Sequence, residues 1–176
     1  SRRRGGSFAR MDSEVQNAAQ RLLEKCTRAG LTVCAAESCT GGLVASSIVS
    51  VPHASGFFLG SSVVYCDAAK ENVLGVRRET VEKYFAESPQ CADEMAECAA
   101  RAFRADIAVS ATGFLDSNVG GKPAALAGRV FISLFLRGGF DRLALSLDVS
   151  RGRAENRKAA ALSALNLILS KLDKIS

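Results

Sequence analysis

Histidine is almost absent from this chain, since His53 is the only one among 176 residues. A zinc site built on several imidazoles is therefore not expected, because His and Cys are the usual zinc ligands. A Ser-His-Asp triad would have to use His53, which lies in the loop-like stretch V-P-H-A-S-G. We interpret it as a solvated loop residue. The sequence also has no apolar run of the roughly 18 residues that a membrane span needs, so we expect no membrane partner.

Cysteine motifs for metal binding are missing as well, although the chain has six cysteines. None of them forms a C-x-x-C pair or another metal-ligand spacing. Several lie inside apolar runs, as Cys34 does in L-T-V-C-A. We therefore expect no metal, and reduced, buried thiols in a cytoplasmic compartment. The six are Cys26, Cys34, Cys39, Cys66, Cys91 and Cys98.

Excess positive charge is nearly absent outside the first ten residues. The formal net charge is +5, from 23 Lys and Arg against 18 Asp and Glu. The opening S-R-R-R-G-G-S-F-A-R holds four arginines and no acid, which leaves 19 basic against 18 acidic residues elsewhere. We interpret residues 1–10 as a basic arm or a leftover of expression or processing, and residues 11–176 as a single domain. Such arms are usually solvated, so no nucleic-acid partner is predicted.

Strand and helix signals alternate along the chain, and a pair of strands close in sequence follows them. Hydrophobic periodicity and turn residues predict the individual elements. In order they are a helix capped by Asp12 or Ser13 and ended by Gly30, a strand over 31–37, a helix opened by Gly41 and Gly42, a strand over 58–66, a short helix capped by Asp67, a short helix over 79–85, a helix starting at Ser88–Pro89, a strand over 105–112, a hairpin divided at Gly138–Gly139, and a helix over about 154–172. This order predicts an α/β fold, a three-layer α/β/α sandwich with a mixed β-sheet.

The stretch A-A-E-S-C-T-G-G, residues 35–42, joins a predicted strand to a predicted helix. Ligands of open α/β sheets bind at such junctions. Backbone amides near Thr40, Gly41 and Gly42 would have no intrahelical partners, so they could bind a phosphate or the oxyanion of a tetrahedral intermediate. Ser38 would lie beside them as a nucleophile. The pattern alone leaves three interpretations open: a nucleophile, an anion site and a simple tight connection.

A serine nucleophile without a histidine needs another base, and lysine is a known substitute. Lys70 lies in D-A-A-K, where we expect it in the first turn of a short helix. The positive helix end and burial in a cleft would favour its neutral amine. Tyr65 could orient this lysine or relay a proton. An exposed helix lysine is the alternative, and Cys39 is a rival nucleophile beside Ser38.

The segments A-E-S-C-T-G-G and F-F-L-G-S-S-V-V-Y-C-D-A-A-K-E-N-V-L-G-V together resemble the CinA C-terminal domain family, whose stand-alone members include nicotinamide-nucleotide amidohydrolases. The resemblance extends over nearly all of residues 12–172 and includes V-S-A-T-G and S-R-G-R-A-E-N-R. It implies an α/β/α fold and hydrolysis of nicotinamide mononucleotide to nicotinate mononucleotide and ammonia, without metal or cofactor. It also implies a homo-oligomer, most simply a two-fold dimer.

The resemblance implies roles for individual residues by their position in these motifs. Ser38 would be the nucleophile, Lys70 its base and Tyr65 a supporting hydroxyl. Backbone amides near Thr40 and Gly41 would hold the oxyanion. The remaining implied site residues are Gly42, Thr112 and Gly113 beside the substrate, with Arg153 and Arg157 as phosphate ligands, because arginine can bind a phosphate through two parallel hydrogen bonds.

Departures from the family pattern lie around the expected substrate mouth. After V-S-A-T-G the family usually continues with a short Ala-Gly-Pro turn, whereas this chain has F-L-D-S-N-V-G-G. Phe114 and Leu115 are bulky there, and Asp116 would be unfavourable near a phosphate. The segment K-P-A-A-L-A-G-R-V is longer than usual, and His53 stands where the family often has glycine. Two alternatives therefore remain beside the nucleotide amidase: a catalytically weak nucleotide-binding or regulatory module, and an amidase with another substrate.

Overall fold

Five strands form one mixed sheet in the computed structural model, which describes residues 3–175 and the side chains of residues 12–175. The strand order is β2-β1-β3-β4-β5. β1 pairs in parallel with both β2 and β3, whereas β3–β4 and β4–β5 are antiparallel. The strands are β1 (Val33–Glu37), β2 (Phe58–Val63), β3 (Ile107–Gly113), β4 (Arg129–Leu136) and β5 (Gly139–Ser146).

Helices cover both faces of this sheet. Within residues 3–175 they are α1 (Arg3–Ala29), α2 (Leu43–Val49), α3 (Asp67–Ala69, continued as a π-helical segment Lys70–Leu74), α4 (Arg78–Tyr84), α5 (Pro89–Phe103) and α6 (Arg153–Ile175). One core lies under α1, α2 and α6, and the second lies under α4 and α5. Alternate residues of β1 enter opposite cores, as a strand with two buried faces requires: Val33 and Ala35 enter the first, Cys34 and Ala36 the second. The predicted three-layer sandwich is confirmed.

Several predicted boundaries are confirmed and others are wrong, since β1 begins at Val33 rather than at residue 31 and β2 ends at Val63 rather than at residue 66. Ser88 caps α5 by accepting the Cys91 amide hydrogen at 3.1 Å, with Pro89 in the first turn, and β4 and β5 form the predicted hairpin. The first helix, however, begins at Arg3 rather than at Asp12 or Ser13, so most of the basic segment continues into α1. Residues 1–2 of that segment lie outside the described residues. Asp67 is the first residue of α3 and not its cap, which is Cys66.

The carboxyl ends of β1 and β3 mark the place where the chain reverses its direction across the sheet. From β1 the chain passes through α2 to β2 on one side, and it then returns through α4 and α5 to β3 on the other side. Ligands of open α/β sheets bind in the crevice at such a switch point. The Ser38 amide donates to the carbonyl of Ala111 at 2.9 Å, which joins the two strand ends. Within residues 3–175, no helix is long and apolar enough to cross a membrane.

Candidate active site

Ser38 and Lys70 meet at this crevice. Ser38 follows β1 directly and is 7% exposed, and Lys70 is 1% exposed. The Lys70 Nζ atom lies 3.1 Å from Ser38 Oγ and 3.1 Å from the carbonyl oxygen of Val64. The first distance is within the hydrogen-bond range that a serine nucleophile and its base require. The structure therefore brings together the two side chains that the sequence analysis proposed as nucleophile and base.

The backbone on both sides of Lys70 holds its side chain in place. Its amide donates to the carbonyl of Cys66 at 3.1 Å, and its carbonyl accepts the amide of Val76 at 3.0 Å. Among the described residues, no carboxylate forms an ion pair with the Lys70 amine. The amine donates to the Val64 carbonyl and to Ser38 Oγ. In its neutral form it could instead accept the Ser38 hydroxyl hydrogen with its lone pair. The arrangement can therefore remove a proton from the Ser38 hydroxyl.

Glu37, the last residue of β1, places its carboxylate at the start of α2 and was not predicted as a site residue. Its carboxylate is 1% exposed and accepts four hydrogen bonds. Oε2 accepts from the Val44 amide at 3.0 Å and from Thr40 Oγ1 at 2.8 Å, and Oε1 accepts from the Ala45 amide at 2.9 Å and from Ser61 Oγ at 3.1 Å. An internal carboxylate, and not a ligand, therefore neutralises the positive end of α2.

The turn before α2 leaves a different set of amides for an oxyanion than the sequence suggested. The Gly41 amide donates to the Ser38 carbonyl at 3.1 Å. Gly42 has a left-handed conformation with φ +89° and caps α2. The Thr40 side chain is buried and turned to Glu37. Within residues 3–175, the amides of Cys39, Thr40 and Gly42 donate to no other residue, so these three are the candidate oxyanion donors.

A cleft of about 470 Å³ opens beside Ser38. Tyr65 and Arg153 lie at this cleft, but Tyr65 is 61% exposed, and its hydroxyl is hydrogen-bonded to Arg153 rather than to Ser38 or Lys70. Its hydroxyl accepts a hydrogen bond from Arg153 Nη2 at 2.6 Å, while Arg153 Nη1 donates to Asp116 at 2.7 Å. Arg157 is exposed and does not line the cleft. The cleft is lined by Ser38, Cys39, Tyr65, Glu87, Gly113, Phe114, Asn118, Gly120 and Arg153.

The end of β3 contributes one residue to the cleft and one to its support. Gly113 lines the cleft with φ +146°, and a Cβ atom there would lie 2.3 Å from the carbonyl oxygen of Arg129. Only glycine fits such a close approach. The Thr112 side chain is fully buried and donates to the Ala86 carbonyl at 2.8 Å. Thr112 therefore fixes the segment before α5 and does not reach the cleft with its hydroxyl.

The loop after β3 supplies cleft residues that the sequence did not single out for the site. Glu87, before α5, forms an ion pair with Lys122 of this loop. The Lys122 amine lies 5.6 Å from the ring centroids of both Phe85 and Phe114, which is a cation–π distance. Asn118 and Gly120 also line the cleft. The loop has no hydrophobic period, so no sequence pattern could place these groups.

Neither the rival nucleophile Cys39 nor the lone histidine His53 is suited to act as the nucleophile or the base of this site. Cys39 lines the cleft, but burial raises the pKa of its thiol to about 12, so little thiolate exists at neutral pH. His53 does not line the cleft and has a left-handed backbone with φ +69°, a conformation that favours glycine. Five cysteines are buried as predicted, whereas Cys66 is exposed. Across the described part of the chain, no cluster of three His, Cys, Asp or Glu side chains could hold a metal ion.

The fold and the crevice define an α/β/α protein with a buried Ser–Lys pair at the switch point of its sheet. The chain belongs to the CinA C-terminal domain family, because the model of that family matches residues 15–172. It is 42% identical over 132 residues to a CinA-like protein of Dictyoglomus thermophilum, covering 75% of this chain and 32% of that protein. It is 34% identical over 170 residues to a putative competence-damage inducible protein of Clostridioides difficile, covering 96% and 39%.

Solved structures agree with this assignment. The competence damage-inducible protein A of Klebsiella pneumoniae superposes with a TM-score of 0.85 at 28% identity, covering 90% of this chain and 97% of that chain. The competence/damage inducible protein CihA of Agrobacterium tumefaciens gives 0.84 at 33% identity, with 91% and 96% covered. The chain spans about a third of the length of the curated relatives it matches.

Proposed function

We propose that this protein is an amidohydrolase that deamidates nicotinamide mononucleotide or a related pyridine nucleotide. The observation that carries the proposal is the buried Lys70 amine, 3.1 Å from Ser38 Oγ beside an open cleft. Burial of an amine without a carboxylate partner is costly. We infer that Lys70 is buried here because it acts as the base for Ser38. Membership of the CinA C-terminal domain family supports the same reaction class.

In the proposed reaction, the Ser38 hydroxyl loses its proton to the neutral Lys70 amine as Oγ attacks the carboxamide carbon. The carbonyl oxygen becomes an oxyanion, which amides of Cys39, Thr40 and Gly42 would stabilise. The Lys70 ammonium then protonates the amide nitrogen, the carbon–nitrogen bond breaks and ammonia leaves. Water, deprotonated by Lys70, attacks the Ser38 ester. Lys70 then returns that proton to Ser38 Oγ as the ester carbon–oxygen bond breaks, and the carboxylic acid is released. The sum is carboxamide plus water giving acid plus ammonia.

Two alternatives remain. A nucleotide-binding or regulatory module with weak turnover would need the cleft but not the lysine–serine contact, so the buried pair favours the enzyme. An amidase with another substrate keeps the same chemistry. That second alternative has a specific observation in its favour, because the side chain of Arg153 is already engaged by Asp116 and Tyr65.

The test is quantification of ammonia and nicotinate mononucleotide released from nicotinamide mononucleotide by the purified protein. We expect the two products in equal amounts, with Ser38→Ala abolishing the release. Cys39→Ala is the matched control, since it removes the adjacent rival nucleophile and should leave the activity largely intact. No release by a folded parent protein, or equal loss in both variants, would contradict the proposal.

Two further expectations accompany the proposed function. We propose that the protein acts on its small-molecule substrate as a cytoplasmic homo-oligomer, most simply a two-fold dimer. Light scattering coupled to gel filtration measures the mass in solution. A mass of 18.5 kDa, that of one chain, would contradict the dimer.

A further inference from the structure

The positive charges at the cleft are already paired with carboxylates. Arg153 is the one cation among the described residues that line the cleft, and it forms an ion pair with Asp116. The nearby Lys122 forms an ion pair with Glu87, which itself lines the cleft. The formal charge of these four side chains sums to zero. A dianionic phosphate would therefore meet no excess positive charge here.

Asp116 is held firmly in its position beside Arg153. Its Oδ2 accepts from Arg153 Nη1 at 2.7 Å, and its Oδ1 accepts from the amide of Asn118 at 2.9 Å. The hydrogen bond from Arg153, followed by that from the Asn118 amide, keeps the pKa of Asp116 below its usual range. The carboxylate is thus ionised at neutral pH. Its Oδ2 atom takes the place at Arg153 Nη1 that a phosphate oxygen would otherwise take.

The second terminal nitrogen of Arg153 is engaged as well. Its Nη2 donates to the Tyr65 hydroxyl at 2.6 Å. Arginine binds phosphate best with two parallel N–H donors, and both terminal nitrogens of Arg153 already have acceptors. A phosphate that took over these two N–H groups would have to displace both Asp116 and Tyr65. A phosphate that used the remaining N–H groups of Arg153 would lie next to the negative charge of Asp116.

We propose that Asp116 is a specificity-determining residue, which pairs with Arg153 and places a negative charge beside it, so that the cleft favours carboxamide substrates without a phosphomonoester. The inference rests on the amidase chemistry of the proposed function and develops its second alternative, an amidase whose preferred substrate is not the mononucleotide. The chemistry it selects is a carboxamide on a neutral or cationic body, such as a pyridinium riboside. A carboxylate beside the ligand attracts a cation and repels a dianion.

The experiment compares kcat/KM for nicotinamide mononucleotide with kcat/KM for nicotinamide riboside, the same molecule without its phosphate. We expect the parent to prefer the riboside, and Asp116→Asn to raise the mononucleotide-to-riboside ratio about tenfold, as for one carboxylate a few ångströms from a dianion in a hydrated cleft. Combining Arg153→Met with Asp116→Asn should remove this gain. A ratio that changes less than about twofold in Asp116→Asn would overturn the proposal.

Glu82→Gln is the matched control, because Glu82 is also paired with an arginine, Arg78, and does not line the cleft. It changes the net charge by the same amount and should keep the parental ratio. If neither compound releases ammonia, the proposed function fails. The role of Asp116 is then decided by calorimetry, which compares the ratio of the dissociation constants of the mononucleotide and the riboside in the parent and in Asp116→Asn. If neither compound binds to Asp116→Asn, the specificity proposal also fails.

Discussion

Glu37→Gln tests whether the buried carboxylate stabilises the start of α2. Four donors converge on the two Glu37 oxygens. In glutamine an NH₂ group replaces one oxygen and faces two of these donors. A hydroxyl can rotate and accept from it, but the backbone amide of Val44 or Ala45 cannot. One buried amide thus loses its acceptor, which costs about 1–3 kcal/mol.

The remaining hydrogen bonds lose their charge assistance, which brings the expected total loss of unfolding free energy to about 2–5 kcal/mol. For a chain of this length that corresponds to a thermal midpoint lower by roughly 5–15 °C. Circular dichroism during heating measures the midpoint. Glu82→Gln is the control, because its side chain is 62% exposed and paired within one helix. If Glu37→Gln lowers the midpoint no more than Glu82→Gln does, the four-donor account is refuted.

Three further predictions concern other parts of the chain. Alkylation of the native protein at about pH 8 should modify Cys66 alone, as peptide mass spectrometry would show, because the other five thiols are buried; a second fast site would contradict this. Gly113→Ala should cost about 3 kcal/mol or more in urea unfolding, whereas Gly138→Ala, with positive φ but open space, should cost about 1 kcal/mol. The amide and hydroxyl of Thr32 lower the pKa of Asp106 from 3.8. Its stabilising effect is present above that value and is lost as pH falls through the lower folded-state pKa, so Asp106→Asn should destabilise at about pH 7 and less at about pH 2.5.

The sequence was informative wherever a local signal decides the structure. Ser88 followed by Pro89 predicts a capped helix start because both effects act within one turn. The buried strand β1 is predicted by its apolar run, and its junction with α2 is where open α/β sheets bind ligands. Ser38 and Lys70 are 32 residues apart, so no local pattern could pair them. Their pairing as nucleophile and base came from their chemistry and from the family resemblance.

The other parts of the site depend on contacts that no local pattern encodes. The Glu37 carboxylate accepts hydrogen bonds from the amides seven and eight residues later in the chain. The start of α2 is therefore occupied by an internal carboxylate, which no local pattern predicted. Tyr65 was expected beside Lys70, but Arg153, 88 residues away, holds its hydroxyl at the rim. Asp116 was expected to disfavour a phosphate by its charge. Its ion pair with Arg153 became visible only in the fold.

The activation of Ser38 by Lys70 is tested most directly by a double-mutant cycle on kcat, with Ser38→Ala, Lys70→Met and both changes together. Methionine keeps the length of the lysine side chain without its amine, and circular dichroism verifies the fold of each variant. Groups that act as one catalytic unit lose activity non-additively. We therefore predict that each single change lowers kcat for carboxamide hydrolysis by at least about 10³-fold and that the double change costs no more. Losses that multiply, or a Lys70→Met variant with near-parental kcat, would contradict a Ser38 nucleophile activated by Lys70.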